Sequence, residues 1–233
     1  PVSGRQASLT EELFGSGFVQ CQKGSRRACA LIGAAGAFQY GLHKPVFTRR
    51  AVQIDKGKIT SLKYDGKEYL KDAHKPNYYR AMTDNDIDYL NFVPPLIPVH
   101  PLYMWKMATD KLTTKASLIH RYSHSAYIET TISAMGLKNA KITYTVYPDG
   151  KIDVTHEGTP NLQDMLRFGS VLTLDSDYKY VKWYGRGPHE NYIDRKTGAR
   201  IAIHEMTVAD MEHHYMRPQE NGHRTDVRML EVK

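Results

Sequence analysis

The stretch Ile142-Thr143-Tyr144-Thr145-Val146-Tyr147-Pro148-Asp149-Gly150-Lys151-Ile152-Asp153-Val154 decides the fold. Ile142, Tyr144 and Val146 alternate with Thr143 and Thr145, and Ile152 and Val154 resume the alternation beyond Pro148-Asp149-Gly150. Successive strand side chains point to opposite faces, so this period of two predicts a β-hairpin with turn chemistry at its centre. Further toward the N-terminus, Ile59, Leu62 and Tyr64 precede Asp65-Gly66, and Tyr69 and Leu70 follow. An Asp-Gly pair supplies the positive φ angles of a tight turn, so a second hairpin is expected there. Tyr127 to Ile132, Val171 to Leu174 and Tyr178 to Tyr184 also read as strands, being β-branched or aromatic and bounded by Gly, Asp, Ser or Pro. Helical periodicity is scarce, with Ser8 to Phe14 and Val208 to Tyr215 the short candidates. Many strands and few helices predict an all-β fold of antiparallel sheets in two packed layers.

The chain has 233 residues, enough at ~150 per domain for one large domain or two small ones. Hydrophobic residues make up 41% and charged residues 24%, which excludes wholesale disorder. Residues 1–45 lack strand alternation and read as a linker or appended segment, apart from the domain at 46–233. Within that domain Phe92 to Pro101 carries Pro94, Pro95, Pro98 and Pro101 and reads as an extended excursion between strands. Cys21 and Cys29 are too few for a disulfide scaffold or a four-cysteine zinc site. Arg26 and Arg27 before Ala28 to Phe38 lie too far from the start for a signal peptide, and that run reads as a buried strand or helix piece. No apolar run approaches the ~20 residues that span a bilayer, so no membrane partner is expected. The net charge of +7 is scattered without like-charge blocks, which fits solvated surface lysines and not a nucleic-acid partner. Tyrosine is abundant, 16 residues against 6 Phe and 2 Trp. A ring with a polar tip suits half-buried strands and also suits sugars.

Polar chemistry concentrates in three places. Trp183-Tyr184-Gly185-Arg186-Gly187-Pro188-His189-Glu190-Asn191-Tyr192-Ile193-Asp194-Arg195 runs from a strand end into Gly-x-Gly-Pro and then a series of polar groups. Two readings stay open for Arg186, His189, Glu190, Asn191, Asp194 and Arg195: mutual hydrogen bonding within a loop, or a sugar-facing or interface loop. Glu190 and Asp194 are the best local carboxylate pair, but spacing alone is weak evidence for the two carboxyl groups of glycoside hydrolysis. Pro218-Gln219-Glu220-Asn221-Gly222-His223-Arg224 is a second turn-rich island, with Glu220 and Arg224 flanking Asn221-Gly222. Asp84-Asn85-Asp86 with Asp88 resembles half of a calcium loop but lacks its glycine and closing glutamate, so turn anchoring is expected. His204, His213, His214 and His223 lack metal-ligand spacing, and no metal is expected. Neither a serine nucleophile elbow nor a phosphate-binding loop is present.

These islands closely resemble signatures of the C-terminal β-sandwich domain of bacterial β-galactosidases, the large glycoside hydrolase family 2 enzymes. The first is Trp183 to Arg195. The second is Tyr215-Met216-Arg217-Pro218-Gln219-Glu220-Asn221-Gly222-His223-Arg224 with Arg228. The third, Asn77-Tyr78-Tyr79-Arg80-Ala81-Met82-Thr83-Asp84-Asn85-Asp86, resembles a segment near the start of that domain. The resemblance covers roughly Phe47 to Lys233.

The resemblance implies a two-sheet supersandwich similar to galactose mutarotase. It implies an accessory domain that shapes the mouth of an active site hydrolysing terminal β-D-galactosides such as lactose, and that supports subunit assembly. The family's catalytic glutamates and magnesium ligands lie on an α/β barrel outside this chain, so no catalytic residue and no cofactor is carried over. A tryptophan that closes the family's galactose subsite lies beyond Lys233, and neither Trp105 nor Trp183 matches it. The implied partners are that barrel, the galactoside and a homo-oligomer, in the cytoplasm or alternatively the periplasm. The chain ends at Met229 to Lys233, where the family's domain continues, so a truncated piece with an open sheet edge is expected. The alternative reading is a stand-alone carbohydrate-binding or mutarotase-like module.

Overall fold

The computed structural model describes residues 37–38, 50–64, 66–86, 102–147, 150–162, 165–217 and 219–233. The expectations for Ser8 to Phe14, for Cys21 and Cys29, for most of Ala28 to Phe38, for Asp88 and for Phe92 to Pro101 lie outside the described residues.

Strand is the dominant regular structure of the described residues. A short β1 (Ala37–Phe38) runs parallel to β2 (Arg50–Asp55), which pairs antiparallel with β3 (Lys58–Tyr64), and β3 with β4 (Lys67–Glu68). Then come β5 (Leu70–Asn77) and a helix α1 (Tyr103–Asp110). A four-stranded meander follows: β6 (Thr113–Tyr122), β7 (Ser125–Ser133), β8 (Leu137–Val146) and β9 (Ile152–Pro160). Strand β10 (Gly169–Leu174) returns antiparallel to β5. The last sheet has β11 (Tyr180–Gly187) between β12 (Arg200–Thr207) and β13 (Met229–Val232). A single 3-10 turn, Ala209–Met211, is all that forms within the helix candidate Val208 to Tyr215. The four hydrogen-bonded groups build an all-β sandwich.

The deciding stretch forms the β8–β9 hairpin, with Val146 opposite Ile152 and Tyr144 opposite Val154. Its alternation is the burial pattern itself: Ala140, Ile142, Tyr144 and Val146 are buried, as are Ala126, Ile128, Thr130 and Ile132 on β7. All but Thr130 join Val52, Ile59 and Leu62 of the first sheet in one core cluster. The β2–β3 turn closes directly on the meander. Gly57 sits there at φ +77°, and a Cβ on it would come within 2.4 Å of Thr130 Cγ2. Only glycine fits both the angle and the gap. Gly66 and Gly150 likewise take positive φ at the two predicted hairpin turns; Asp65, Pro148 and Asp149 lie outside the described residues.

Strand β5 and the residue just past it meet polar partners on the meander. His74 Nδ1 and the Tyr144 hydroxyl share a hydrogen bond of 2.9 Å. Past the strand end, the Tyr78 hydroxyl and His156 Nε2 share another of 2.9 Å. Burial pushes His74 down to about 4 and His156 down to about 3, so both are neutral partners at neutral pH. Helix α1 closes the core with buried Trp105 and Ala108. Its Thr109 hydroxyl accepts the Tyr78 backbone N–H at 3.0 Å, which fixes where β5 ends and the third polar segment begins.

Candidate functional site

The Gly-x-Gly of the first segment is strand, not loop. Gly185, Arg186 and Gly187 continue β11 opposite Ala202, Ile201 and Arg200. The glycines serve close approach. A Cβ on Gly185 would meet Val227 Cα at 2.8 Å, and one on Gly187 would meet Trp183 Cζ2 at 2.8 Å and His204 Cδ2 at 2.9 Å. Glycine inside a strand marks such an approach. Arg186 leaves the strand toward the second island: its Nε donates to Asp226 Oδ2 at 2.6 Å, and its Nη1 donates to the Lys196 and Ala199 carbonyls at 3.2 and 2.8 Å. The Arg186 bond holds the Asp226 carboxyl below the usual carboxylate range.

Beyond the strand, two side chains stitch the segments together. Asn191 is fully buried; its Oδ1 accepts from Thr225 N at 2.9 Å and Thr225 Oγ1 at 2.5 Å, and its Nδ2 donates to the His189 carbonyl at 3.1 Å. Glu190 is buried and holds three donors. Its Oε1 accepts from Arg195 and from the Tyr215 hydroxyl, and its Oε2 accepts from Gly222 N–H at 2.8 Å. Arg224 donates to the Pro188 carbonyl at 2.9 Å and lies over the Trp183 ring at 5.4 Å. Glu220 is buried against Arg167, which donates at 2.6 Å. Burial pushes the Glu220 carboxyl up, against the pull of Arg167.

The third segment joins through Arg80. Its guanidinium grips Asp86 through two bonds of 2.6 and 3.0 Å, while Thr83 donates to the same carboxylate from N at 2.7 Å and Oγ1 at 2.8 Å. Burial works against that ionisation, but the four donors outweigh it and hold Asp86 below its ordinary range. The acidic cluster is thus a turn anchor. Asn85 Nδ2 donates to Asp194 Oδ2 at 2.7 Å, and Gln219 reaches Asp84 at 3.4 Å.

All three segments wall one cleft of about 670 Å³. Arg80, Arg195, Lys196 and Arg224 balance Asp84, Asp86, Asp194 and Asp226 in its lining, with Tyr192 and Tyr215 between them. Tyr192 stacks on His223 at 4.7 Å and 14°, and burial pushes His223 down to about 4. Of the nine candidate residues, the fold brings Asp194, Arg195 and Arg224 to the lining. Arg186, Glu190, Asn191 and Glu220 stand behind it as braces. His189 is exposed and outside the lining, and Asn221 accepts the His213 N–H at 3.4 Å, also outside it. Among the described residues no three His, Cys, Asp or Glu side chains gather as metal ligands, and no helix is long and apolar enough to cross a membrane. Sequence reading missed Arg167, an arginine 53 residues from its partner with no local signal. It also passed over Lys196 and Asp226, whose roles depend on the fold.

Residues 48–233 match the family described as beta galactosidase small chain. The chain is 33% identical over 181 residues to the β-galactosidase of Priestia megaterium, a match covering 76% of this chain and 17% of that one. It is 32% identical over 183 residues to that of Lactobacillus delbrueckii subsp. bulgaricus, again 76% of this chain and 17% of the relative. Against the β-galactosidase of Halalkalibacterium halodurans it is 28% identical over 238 residues, covering 98% of this chain and 22% of the relative. It therefore spans about a fifth of the length of these curated relatives.

Proposed function

Since the chain belongs to the beta galactosidase small-chain family, we propose that it is the accessory part of a β-galactosidase, shaping the mouth of an active site whose catalytic glutamates stand on another part of the parent protein. The parent reaction is hydrolysis of terminal β-D-galactosides with retention, through a covalent glycosyl-enzyme, and any magnesium belongs with that other part. One observation supports an accessory role: the carboxylates in and behind the cleft that the sequence singles out each hold a donor from the protein itself. Glu190 holds Arg195, Tyr215 and Gly222, Asp86 holds Arg80 and Thr83, and Asp194 holds Asn85. A general acid or nucleophile needs an oxygen open to the scissile bond.

The test is hydrolysis of a chromogenic β-galactoside by the purified chain, by its Glu190→Gln variant, and by the chain mixed with the remainder of its parent polypeptide. The expected result is no turnover from the first two and turnover from the mixture. Turnover by the chain alone that Glu190→Gln abolishes would overturn the reading. The tyrosine rings in the cleft favour a second reading, a sugar-binding module; galactose titrated into the isolated chain by calorimetry gives heat only on that reading.

A further inference from the structure

We propose that the turn Tyr192-Ile193-Asp194-Arg195 is a rigid knob, with Ile193 at its point, that docks into an apolar pocket on the remainder of the parent polypeptide; the inference rests on the accessory reading above.

Ile193 is 84% exposed. Turn tips favour Gly, Asn, Asp or Ser for their backbone chemistry, and an isoleucine there adds apolar surface that does nothing for the turn. Yet the turn around it is fixed from four sides. Tyr192 and Arg195 form a β-bridge, and Arg195 N–H donates to the Tyr192 carbonyl at 3.0 Å. The Tyr192 ring lies flat on His223. Glu190 and the Tyr215 hydroxyl hold the Arg195 guanidinium, which lies over the Tyr192 ring at 5.0 Å. Asn85, from the far end of the domain's sequence, pins Asp194. A side chain presented by a braced backbone loses little freedom on binding, which is the condition for an interface anchor.

The surroundings have the matching anatomy. Met216, next in sequence to the Tyr215 that helps hold Arg195, is fully exposed. Asp194, Arg195 and Lys196, which follow Ile193 in sequence and line the rim of the cleft with it, carry both signs of charge. An apolar centre inside a polar rim is how a hot spot is built. The partner argued for is the parent's own remainder, because the curated relatives carry about four-fifths of their length beyond the matched part.

The experiment expresses the parent as two polypeptides, this chain and the remainder, and measures their assembly by calorimetry. Ile193→Asp should weaken assembly about 30-fold, the loss of one hot-spot side chain. Ile193→Leu, which keeps the apolar surface, should stay within about 3-fold of the original. Both variants of the isolated chain should melt with the unaltered protein, since the side chain is exposed. If the unaltered pieces assemble and Ile193→Asp assembles equally well, the knob is wrong and the accessory reading stands. If the unaltered pieces fail to assemble, both fall. If Ile193→Asp instead dissolves a dimer of the isolated chain in light scattering and leaves assembly intact, the occupant is a second copy and the proposal is overturned.

Discussion

Arg167 and Glu220 form an ion pair almost without water: their side chains are 6% and 1% exposed and their charged atoms 2.6 Å apart. Desolvating both ions is expensive, and their attraction offsets that cost only while both are present. Glu220→Gln should therefore cost about 3–5 kcal/mol, because it removes the charge that faces a buried guanidinium. The double change Arg167→Met with Glu220→Leu should cost much less, and denaturant titration of the single and double variants checks it. Equal losses would mean that the pair is held by its packing and not by its charges. Glu220 itself was legible as a polar residue beside a turn. Its partner was not, because nothing local distinguishes an arginine that pairs across 53 residues. The same limit explains Glu190. Reading it as half of a carboxylate pair with Asp194 used the nearest acid in sequence, whereas the fold hands it Tyr215 and Gly222 from the other island.

At the level of elements, alternation was a faithful guide wherever one face of a strand is covered. The β7, β8 and β9 patterns are burial patterns, and the hairpin turns fall where glycine takes positive φ. Helix α1 escaped notice because the proline-rich stretch before it dominates the reading, although Leu102, Trp105 and Ala108 recur at one helical face and are buried. The Gly185-x-Gly187 pattern was misread as loop chemistry; glycine in a strand looks the same in sequence whether it bends the chain or admits a neighbour. That correction makes a prediction. Gly185→Ala and Gly187→Ala each force a methyl into a gap under 3 Å, and should cost about 1–3 kcal/mol as overpacking. Gly198→Ala, with nothing within 4 Å of the new methyl, should stay within about 0.5 kcal/mol. Thermal melts of the three variants decide it, and a harmless Gly187→Ala would mean that Trp183 and His204 yield to the methyl and that close approach is not what Gly187 serves.

Across the whole molecule, acid is the condition that reaches both the core and the cleft. His74 and His156 are buried in the core and His223 in the wall of the cleft, and burial depresses all three, to about 4, about 3 and about 4, from an ordinary 6.5. Above pH 6.5 neither the folded nor the unfolded chain binds protons at these rings, and their contribution to stability is fully present. As pH falls below 6.5 the unfolded chain takes up protons that the folded chain refuses, so stability drops. The loss continues until pH reaches the folded values near 4 and 3, where the native rings protonate too. Asp86 and Asp226, held below the ordinary 3.8, add a further loss in the same direction at still lower pH. Glu220 acts in the opposite sense, since its raised carboxyl accepts a proton in the folded chain first. One acid among three histidines cannot reverse the trend. Melting temperature should thus be level between about pH 8 and 7 and fall steeply below about pH 6. In a His156→Gln variant the fall should be shallower, because one of the three proton sinks of the unfolded chain no longer differs between the two states. A melting temperature level down to about pH 4.5 would mean that these rings are protonated in the native protein, and that the His74–Tyr144 and His156–Tyr78 pairs are not the neutral hydrogen bonds of a closed core.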